Sequence, residues 1–567
     1  DLIRYQKTSA AMSGVDLKSC YDRVAHTPAY LAMRSYGVPS QPIQSMFQSI
    51  QDMKYYTFTA HGMSKSSFGG KEKGYVAAPN GLGQGNGAGP SVWSVVSSKM
   101  FQVMHNRKAS TQIFAPLTNS KIDVCGFAFV DDTDLIAMSS RKNELSDAKE
   151  KMQRTVNEWE AVSKTTGGAL VPEKCWSWLI GFEWDNESWK YSNVDKSNLH
   201  MTVKNAKGDT KNMQMLNPSE AKEMLGVSLA PDGNEQDQFQ TSLEKMRKFS
   251  EFVRTGHISK HEAWTYLNTM AMKSFEYVLP AMTLTEEQHK RIMAPLLRHL
   301  LPKAGINRHI PHDLLYAPSL VQGMDLKNPF ITQGVTHVKD ISENLWKDTL
   351  TGKLLRCTLE QLRIEVGENI PLLSSSYSIF KPQLLTNSYI QNTWEFMDKF
   401  QIKLQDDTAT VPLLRKNDVC IMEKFRLNPR IPNTALSALN KCRIYLKAFT
   451  LADLVTGDGK RIRNEAWHGR QYVNGRDIEQ WPIWGRPKLS SWSYWRTALK
   501  STFCTNDKIL AEPLGSWTMI PPQWEWFALI KDHNQFLVHH SQGIYHFHHQ
   551  YINFQMLCIL LLLMFLE

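Results

Sequence analysis

The sequence has no Cys-x-x-Cys pair; its eight cysteines (20, 125, 175, 357, 420, 442, 504, 558) are scattered and none has histidines at zinc-finger spacing. Neither a disulfide scaffold nor a zinc knuckle is supported, and a reduced, intracellular setting is expected, nucleus or cytoplasm, with no targeting signal to choose between them. There is no low-complexity tract and no repeat of 20–50 residues, which argues against solenoids and propellers. Long apolar runs are also missing: the stretch from Met556 to Leu566 is too short for the ~20 residues that span a bilayer, so no membrane role is expected. No basic-then-apolar leader opens the chain, which starts at Asp1 and reads as a fragment of a longer product.

What is there is a chain of 567 residues, 42% hydrophobic and 21% charged, enough to bury several cores. Its 65 Lys and Arg against 55 Asp and Glu give a net charge of +10, a balance that suits a polyanionic partner without proving one. Residues 1 to about 235 mix short apolar runs with breaks at Pro39, Gly69-Gly70, the Gly81–Gly89 cluster and Gly167-Gly168, an α+β pattern. From about 237 to 300, Leu243, Met246, Phe249, Phe252 and Val253 recur at helical spacing, as do Trp264, Leu267 and Met270, then Ile292, Leu296 and Leu297. Boundaries are expected near 236 and, more loosely, near 340.

Three acidic or glycine-rich elements carry chemistry. In Val124-Cys125-Gly126-Phe127-Ala128-Phe129-Val130-Asp131-Asp132-Thr133-Asp134-Leu135-Ile136-Ala137-Met138, two strand-like runs flank an acidic tip, as a β-hairpin with carboxylates at its turn would be written. Adjacent carboxylates repel unless a cation sits between them, so the tip is either a solvated acidic turn or a Mg²⁺ holder. Upstream, Asp16 follows Val15 and precedes Tyr21 at the start of a short helix; between the two acidic elements lies Gly83-Gln84-Gly85-Asn86-Gly87-Ala88-Gly89-Pro90-Ser91, opening an apolar helix. Alone, the first is a helix cap and the second a turn.

In this order, D-x-K-x-C-Y-D, Q-G-x-G-x-G-P and F-V-D-D resemble motifs A, B and C of the reverse transcriptase palm, most similar to those of non-LTR (LINE-type) retrotransposons. Gly167-Gly168-Ala169-Leu170-Val171-Pro172-Glu173-Lys174-Cys175 is similar to motif D, Met224-Leu225-Gly226-Val227 to the motif E hairpin, and Ala317 to Leu326 to the element that follows the thumb. Two departures stand out: Gly89 replaces the usual Ser before the motif B proline, and the fingers motifs that should precede motif A are incomplete.

The resemblance implies an α+β polymerase palm, an antiparallel sheet backed by helices, over 1–236 and a helical thumb and following element over 237–340, followed by a mostly α region over 341–567 of unassigned role, for which nucleic-acid binding is the one role suggested. It implies an RNA-directed DNA polymerase that adds dNTPs to a primer 3′-hydroxyl by two-metal nucleotidyl transfer, with an RNA template and a DNA primer as partners. The cofactor would be two Mg²⁺ ions, with Mn²⁺ as the alternative. Asp16 and Asp131 would bridge the ions, Asp132 would support their edge, and the Leu17 carbonyl would complete one shell. Tyr21 would stand under the sugar as a steric gate, Gln84 and Gly85 would lie against the templating base and nucleotide, and Lys174 would donate a proton to the leaving pyrophosphate. Two other readings stay open: an inactive remnant that only binds nucleic acid, and an RNA-dependent RNA polymerase, which Phe129-Val130-Asp131-Asp132 and Tyr21 disfavour. The oligomeric state is not legible.

Three further stretches are read from the residues alone. Leu145, Ala148, Met152, Val156, Trp159 and Val162, in the stretch from Arg141 to Val162, predict a helix packed behind the hairpin. Residues 460–500 interleave Trp467, Trp481, Trp484, Trp492 and Trp495 with nine Lys and Arg against three acids; either the tryptophans pack a small helical domain or they stack on single-stranded nucleic acid. The histidines at 539, 540, 546, 548 and 549 have no acidic or Cys partner that would make them a metal site.

Overall fold

The structure, a computed structural model, describes residues 1–69, 80–83, 85–140, 144–193, 200–472 and 480–518, together with the backbone of 526–531, 534–541 and 544–551. Gln84, the stretch 141–143, residues 473–479 and the apolar tail lie outside the described residues.

The sheet that positions the acidic elements is built from five strands, β1 (Ala10–Asp16), β4 (Gly126–Phe129), β5 (Asp132–Met138), β6 (Trp176–Ile180) and β7 (Gln214–Leu216), while β2 (Thr111–Phe114) and β3 (Lys121–Val124) form a separate two-stranded hairpin. Its order is β7-β6-β1-β5-β4. The strands are antiparallel, as expected, except that the edge strand β7 runs parallel to β6. Small side chains suit the central strand: Ala10, Ala11, Ser13, Gly14 and Val15 are all buried. Gly14 is required there, because a Cβ would meet the Trp176 indole of β6 at 2.3 Å.

Helices α1 (Cys20–Arg23), α2 (Gly89–Asn106) and α3 (Leu145–Thr165) cover one face of this sheet. Val92, Trp93, Val96 and Met100 of α2 share a core with Met152, Val156 and Trp159 of α3 and with Val15 and Leu135 of the sheet. The predicted apolar stripe of α3 is thus its buried face: Ala148, Met152, Val156 and Trp159 are fully buried. A tight hairpin, Lys222–Met224 with Val227–Leu229, turns through Leu225 and Gly226, both at positive φ.

The next region is helical. It contains α4 (Gln236–Thr255) and α5 (Glu286–Lys303), which pack side by side; α5 starts with a capping box between Thr285 and Gln288. Leu243, Met246, Val253, Leu267, Ile292, Leu296 and Leu297 face its core as their spacing predicts. Phe252 and Met270 do not: each is about half exposed, Phe252 lying against the Tyr266 ring instead. After a helix at Pro329–Asn344 come α6 (Leu350–Val366), α7 (Leu489–Phe503) and intervening short helices, then a backbone-described antiparallel sheet of Trp526–Lys531, Asn534–Ser541 and Ile544–Tyr551. Helix α6 is buried over most of its length and carries a polar network: Arg363 bonds Asp406 and Thr408, and the Glu365 carboxylate accepts the Leu385 and Thr386 amides.

The Trp-rich stretch is core. Trp481, Trp492 and Trp495 are 0–1% exposed, and their indole N–H groups donate to the carbonyls of Ile444, Pro487 and Ala466. Of the two readings of residues 460–500, the packing one describes these rings, and none of the three is available to stack on a base.

Candidate active site

Strand β1 ends at Asp16, and its register places Asp16 opposite Asp132, the first residue of β5. The acidic tip is the hairpin expected from the sequence, with β4 and β5 paired from Gly126–Leu135 to Phe129–Asp132. Val130 turns the chain at φ 57°, a left-handed conformation that a β-branched residue adopts only under constraint. That constraint is visible: the Trp93 indole on α2 donates to the Val130 carbonyl at 2.5 Å. Helix α2 therefore fixes where Asp131 and Asp132 point, a role no motif in the sequence signals.

Motif D joins the same end of the sheet. The Val171 amide donates to the Asp16 carbonyl at 3.1 Å and the Lys18 amide to the Ala169 carbonyl at 2.8 Å, pairing Leu17 with Leu170. Leu17 itself is 2% exposed and does not line the cavity at this end of the sheet. This pairing delivers Lys174, whose Nζ lies 3.0 Å from Asp16 Oδ2. The hydrogen bond to Asp16, then the charge of Asp16 and of the two hairpin acids, raises the Lys174 pKa. The ammonium is 64% exposed while the Asp16 carboxylate is 16% exposed, so the cation is the free end of the pair.

The hairpin acids are electrostatically strained. Burial, then repulsion from Asp131 and Asp16, raises the Asp132 pKa, and only Lys174 opposes the shift. Asp134, one β repeat further along the same face, is raised to about 6 by burial and by Asp132. A cavity of about 310 Å³ opens here, lined by Asp16, Asp132, Asp134, Lys174, Trp176 and Leu225 among others, so motifs A, C, D and E meet around one space. Hard carboxylate oxygens beside a lysine that already neutralises one of them are a donor set that suits Mg²⁺. Among the described residues no three His, Cys, Asp or Glu side chains converge closely enough to hold a metal ion alone. Mg²⁺ is commonly held by one or two carboxylates with substrate phosphates and water supplying the rest, so the set present fits.

Tyr21 sits on α1, which is held on two sides: the Leu82 amide donates to the Tyr21 carbonyl at 2.7 Å, and the Ala25 amide to Thr166. Gly81, at φ 93°, lets the motif B loop approach; a Cβ there would lie 2.4 Å from the Asp22 carbonyl oxygen. The Tyr21 ring is half-buried beside the start of α2, its Cδ1 3.6 Å from where a Gly89 Cβ would stand, so the glycine that replaces the usual Ser adjoins the expected gate. Burial, followed by Cys20 and Asp131, raises the Tyr21 pKa. Gly85 is exposed at φ 90° in the loop whose Asn86 side chain accepts the Ala88 amide; its neighbour Gln84 lies outside the described residues. Asp16, Asp132 and Lys174 thus line one space at the end of the sheet; Asp131, beside Val130 in the hairpin turn, is not among the residues that line it, nor are Leu17 and Tyr21. Trp93 and Trp176, which shape that end, were not legible as functional.

Residues 1–216 match the family model described as Reverse transcriptase (RNA-dependent DNA polymerase). This segment, 216 of the 567 residues, is thus similar to that family. The match takes in motifs A to D and stops before the motif E hairpin. No curated protein matches the chain. Solved structures similar to it include the apo telomerase of Candida tropicalis, at 12% identity and TM-score 0.24 over 63% of this chain and 54% of that one. The telomerase of Candida tropicalis in complex with a TWJ fragment of telomeric RNA gives 13% and 0.23 over 62% and 50%, and that of Candida albicans with its TWJ fragment 10% and 0.21 over 62% and 51%. The chain spans about half the length of these structures. Among the described residues no helix is long and apolar enough to cross a membrane.

Proposed function

We propose that the protein is an RNA-directed DNA polymerase of retrotransposon origin, extending a DNA primer with dNTPs on an RNA template. The observation that carries this is the register of Asp16 against Asp132 with Lys174 on Asp16, inside a segment that matches the reverse transcriptase family. Residues 1–236 would be the palm, 237–340 the thumb and following element, and 341–567 a C-terminal region that braces the palm.

Asp16, Asp131 and Asp132, with the Leu17 carbonyl, would hold the divalent metal, Mg²⁺ being the ion that such oxygen donors suit. Bound there, the metal would supply the positive charge that activates a primer hydroxyl and stabilises a leaving pyrophosphate. The chain's own work is placement and proton management. Lys174 balances Asp16 when no nucleotide is present and, being the exposed end of that pair, would swing to the pyrophosphate and give it a proton. Tyr21 would fill the space a 2′-hydroxyl needs, selecting deoxynucleotides, while Gln84 and Gly85 would lie along the nucleotide and templating base.

Template and nucleotide choice tests the reading. With a DNA primer annealed to RNA and Mg²⁺ present, dNTPs should be incorporated and rNTPs rejected; preferential rNTP incorporation would replace the proposal with an RNA polymerase.

A further inference from the structure

At the other end of β5, away from the carboxylates, the domain that carries the central sheet and the C-terminal region enclose a cavity of about 390 Å³. Met138 lies six residues beyond Asp132 on this strand, about 20 Å at the usual rise per residue, so the cavity is separate from the candidate active site. Its walls come from the turn after α2, the start of β2, the end of β5, the first half of α3, and Gln480. Those walls are tied together: Thr155 Oγ1 donates to the Ala109 carbonyl at 3.3 Å, Thr111 Oγ1 accepts the Met138 amide at 3.1 Å, and Gln361 Nε2 of α6 donates to the Gln480 carbonyl at 3.1 Å.

The lining is one-sided in charge. Lys108, Lys151 and Arg154 face the space, no acid among the described residues lines it, and Ser110, Thr111 and Ser139 add hydroxyls. Lys151 is partly committed, donating to the Met138 carbonyl at 3.2 Å and lying 3.7 Å from Asp147, which sits behind the wall and takes the Ser139 and Ser140 hydroxyls. Among the described residues Lys108 and Arg154 have no acidic partner. Lys108 is held at the rim by a left-handed turn at φ 57°, its amide donating to His105 at 3.0 Å. Phe114 adds a half-buried ring to the wall. Three cations and several hydroxyls around a space too large for phosphate alone, with an aromatic face beside it, match the chemistry of a nucleotide: phosphate oxygens for the cations, a base for the ring.

We infer that this cavity binds a nucleotide phosphate, carried by single-stranded RNA passing behind the domain or by a free nucleotide. The placement at the seam between the two regions means that occupancy would also fasten the C-terminal region to the domain. Nothing in the inference requires catalysis at the carboxylates, so its failure and that of the polymerase reading are separable.

The full chain should be photocrosslinked to a 4-thiouridine-containing RNA 12-mer, the sites mapped by mass spectrometry, and AMP titrated as competitor. Crosslinks are expected on peptides containing Phe114 and Lys151 in addition to any at the carboxylate end. The double variant Lys108→Ala with Arg154→Ala, both exposed positions, should lose the former crosslinks at least about tenfold. It should keep the latter and the parental melting temperature, and flatten the salt dependence of binding by about 1.4 log units per log unit of salt. Displacement by micromolar AMP would assign the cavity to free nucleotides, and resistance to AMP to the phosphates of a chain. Absence of crosslinks on those peptides together with no calorimetric AMP binding, or crosslinks unchanged in the folded double variant, would overturn the inference. Arg154→Glu provides the second variant, expected to lose more than Arg154→Ala; an equal loss would contradict a role for its charge.

Discussion

A left-handed valine at an acidic turn has a conformational cost of order 1–3 kcal/mol, and Val130 is held there by a single indole hydrogen bond from Trp93 and by packing against the core. That arrangement sets the turn from which Asp132 enters β5 opposite Asp16. The sequence showed the three acids, because adjacent carboxylates between two apolar runs are rare enough to notice, but not the Trp93 brace, because one tryptophan in an apolar helix looks the same whether or not its N–H is used. Tyr21 is the residue whose proposed role is most easily isolated. Replacing it with Ala should admit ribonucleotides while dNTP use stays within roughly tenfold, about 1.4 kcal/mol, measured as competitive incorporation. Continued rejection of rNTPs by Tyr21→Ala would make it a packing residue and shift the gate elsewhere.

At the scale of elements, helix α5 and the Pro329–Asn344 helix enclose two neutral histidines. Burial lowers His289 and His337 each to about 4, although His289 bonds Gln333 and His337 bonds the Leu279 carbonyl. A folded-state value below the unfolded one means that the unfolded chain takes up protons first. Stability contributed by these groups is therefore full above about pH 6.5 and falls as pH drops toward 4, by about 1.4 kcal/mol per pH unit for each histidine. Melting curves at pH 7.5 and 5 should show a larger acid shift for the parent than for His289→Gln with His337→Gln, which removes this uptake while the carboxylate contributions remain. An equal shift in both proteins would mean that the two rings are charged in the fold. Elements were legible where one face alone is apolar, as in α3 and α4. Residues 460–500 were not, since Arg alternating with Trp describes both a stacking groove and an amphipathic core. Only burial against distant residues, as of Trp492 against Tyr445, separates them.

Across the whole molecule, the expected division near 340 is bridged by contacts rather than marked by a gap. Tyr5 donates to Ser388 at 2.9 Å in a buried contact, Glu360 of α6 accepts the Leu117 and Thr118 amides, Trp184 stacks edge-on against Trp484, and Lys488 pairs with Glu187. The residues beyond 340 are thus a brace laid along the side of the segment that carries the central sheet. Charge and composition along the chain carried no hint of it, because each contact joins residues more than two hundred positions apart. The brace leaves the carboxylate end of the sheet open, and the account turns on what happens there. Primer extension with dNTPs on an RNA template should be measured for the parent, Asp16→Asn and Asp131→Asn in Mg²⁺, with folding of each checked by melting. Each substitution removes a charge worth several kcal/mol at the transition state, so both variants should fold and lose nearly all incorporation. Extension at the parental rate by either folded variant, or a folded parent that extends nothing, would contradict the account.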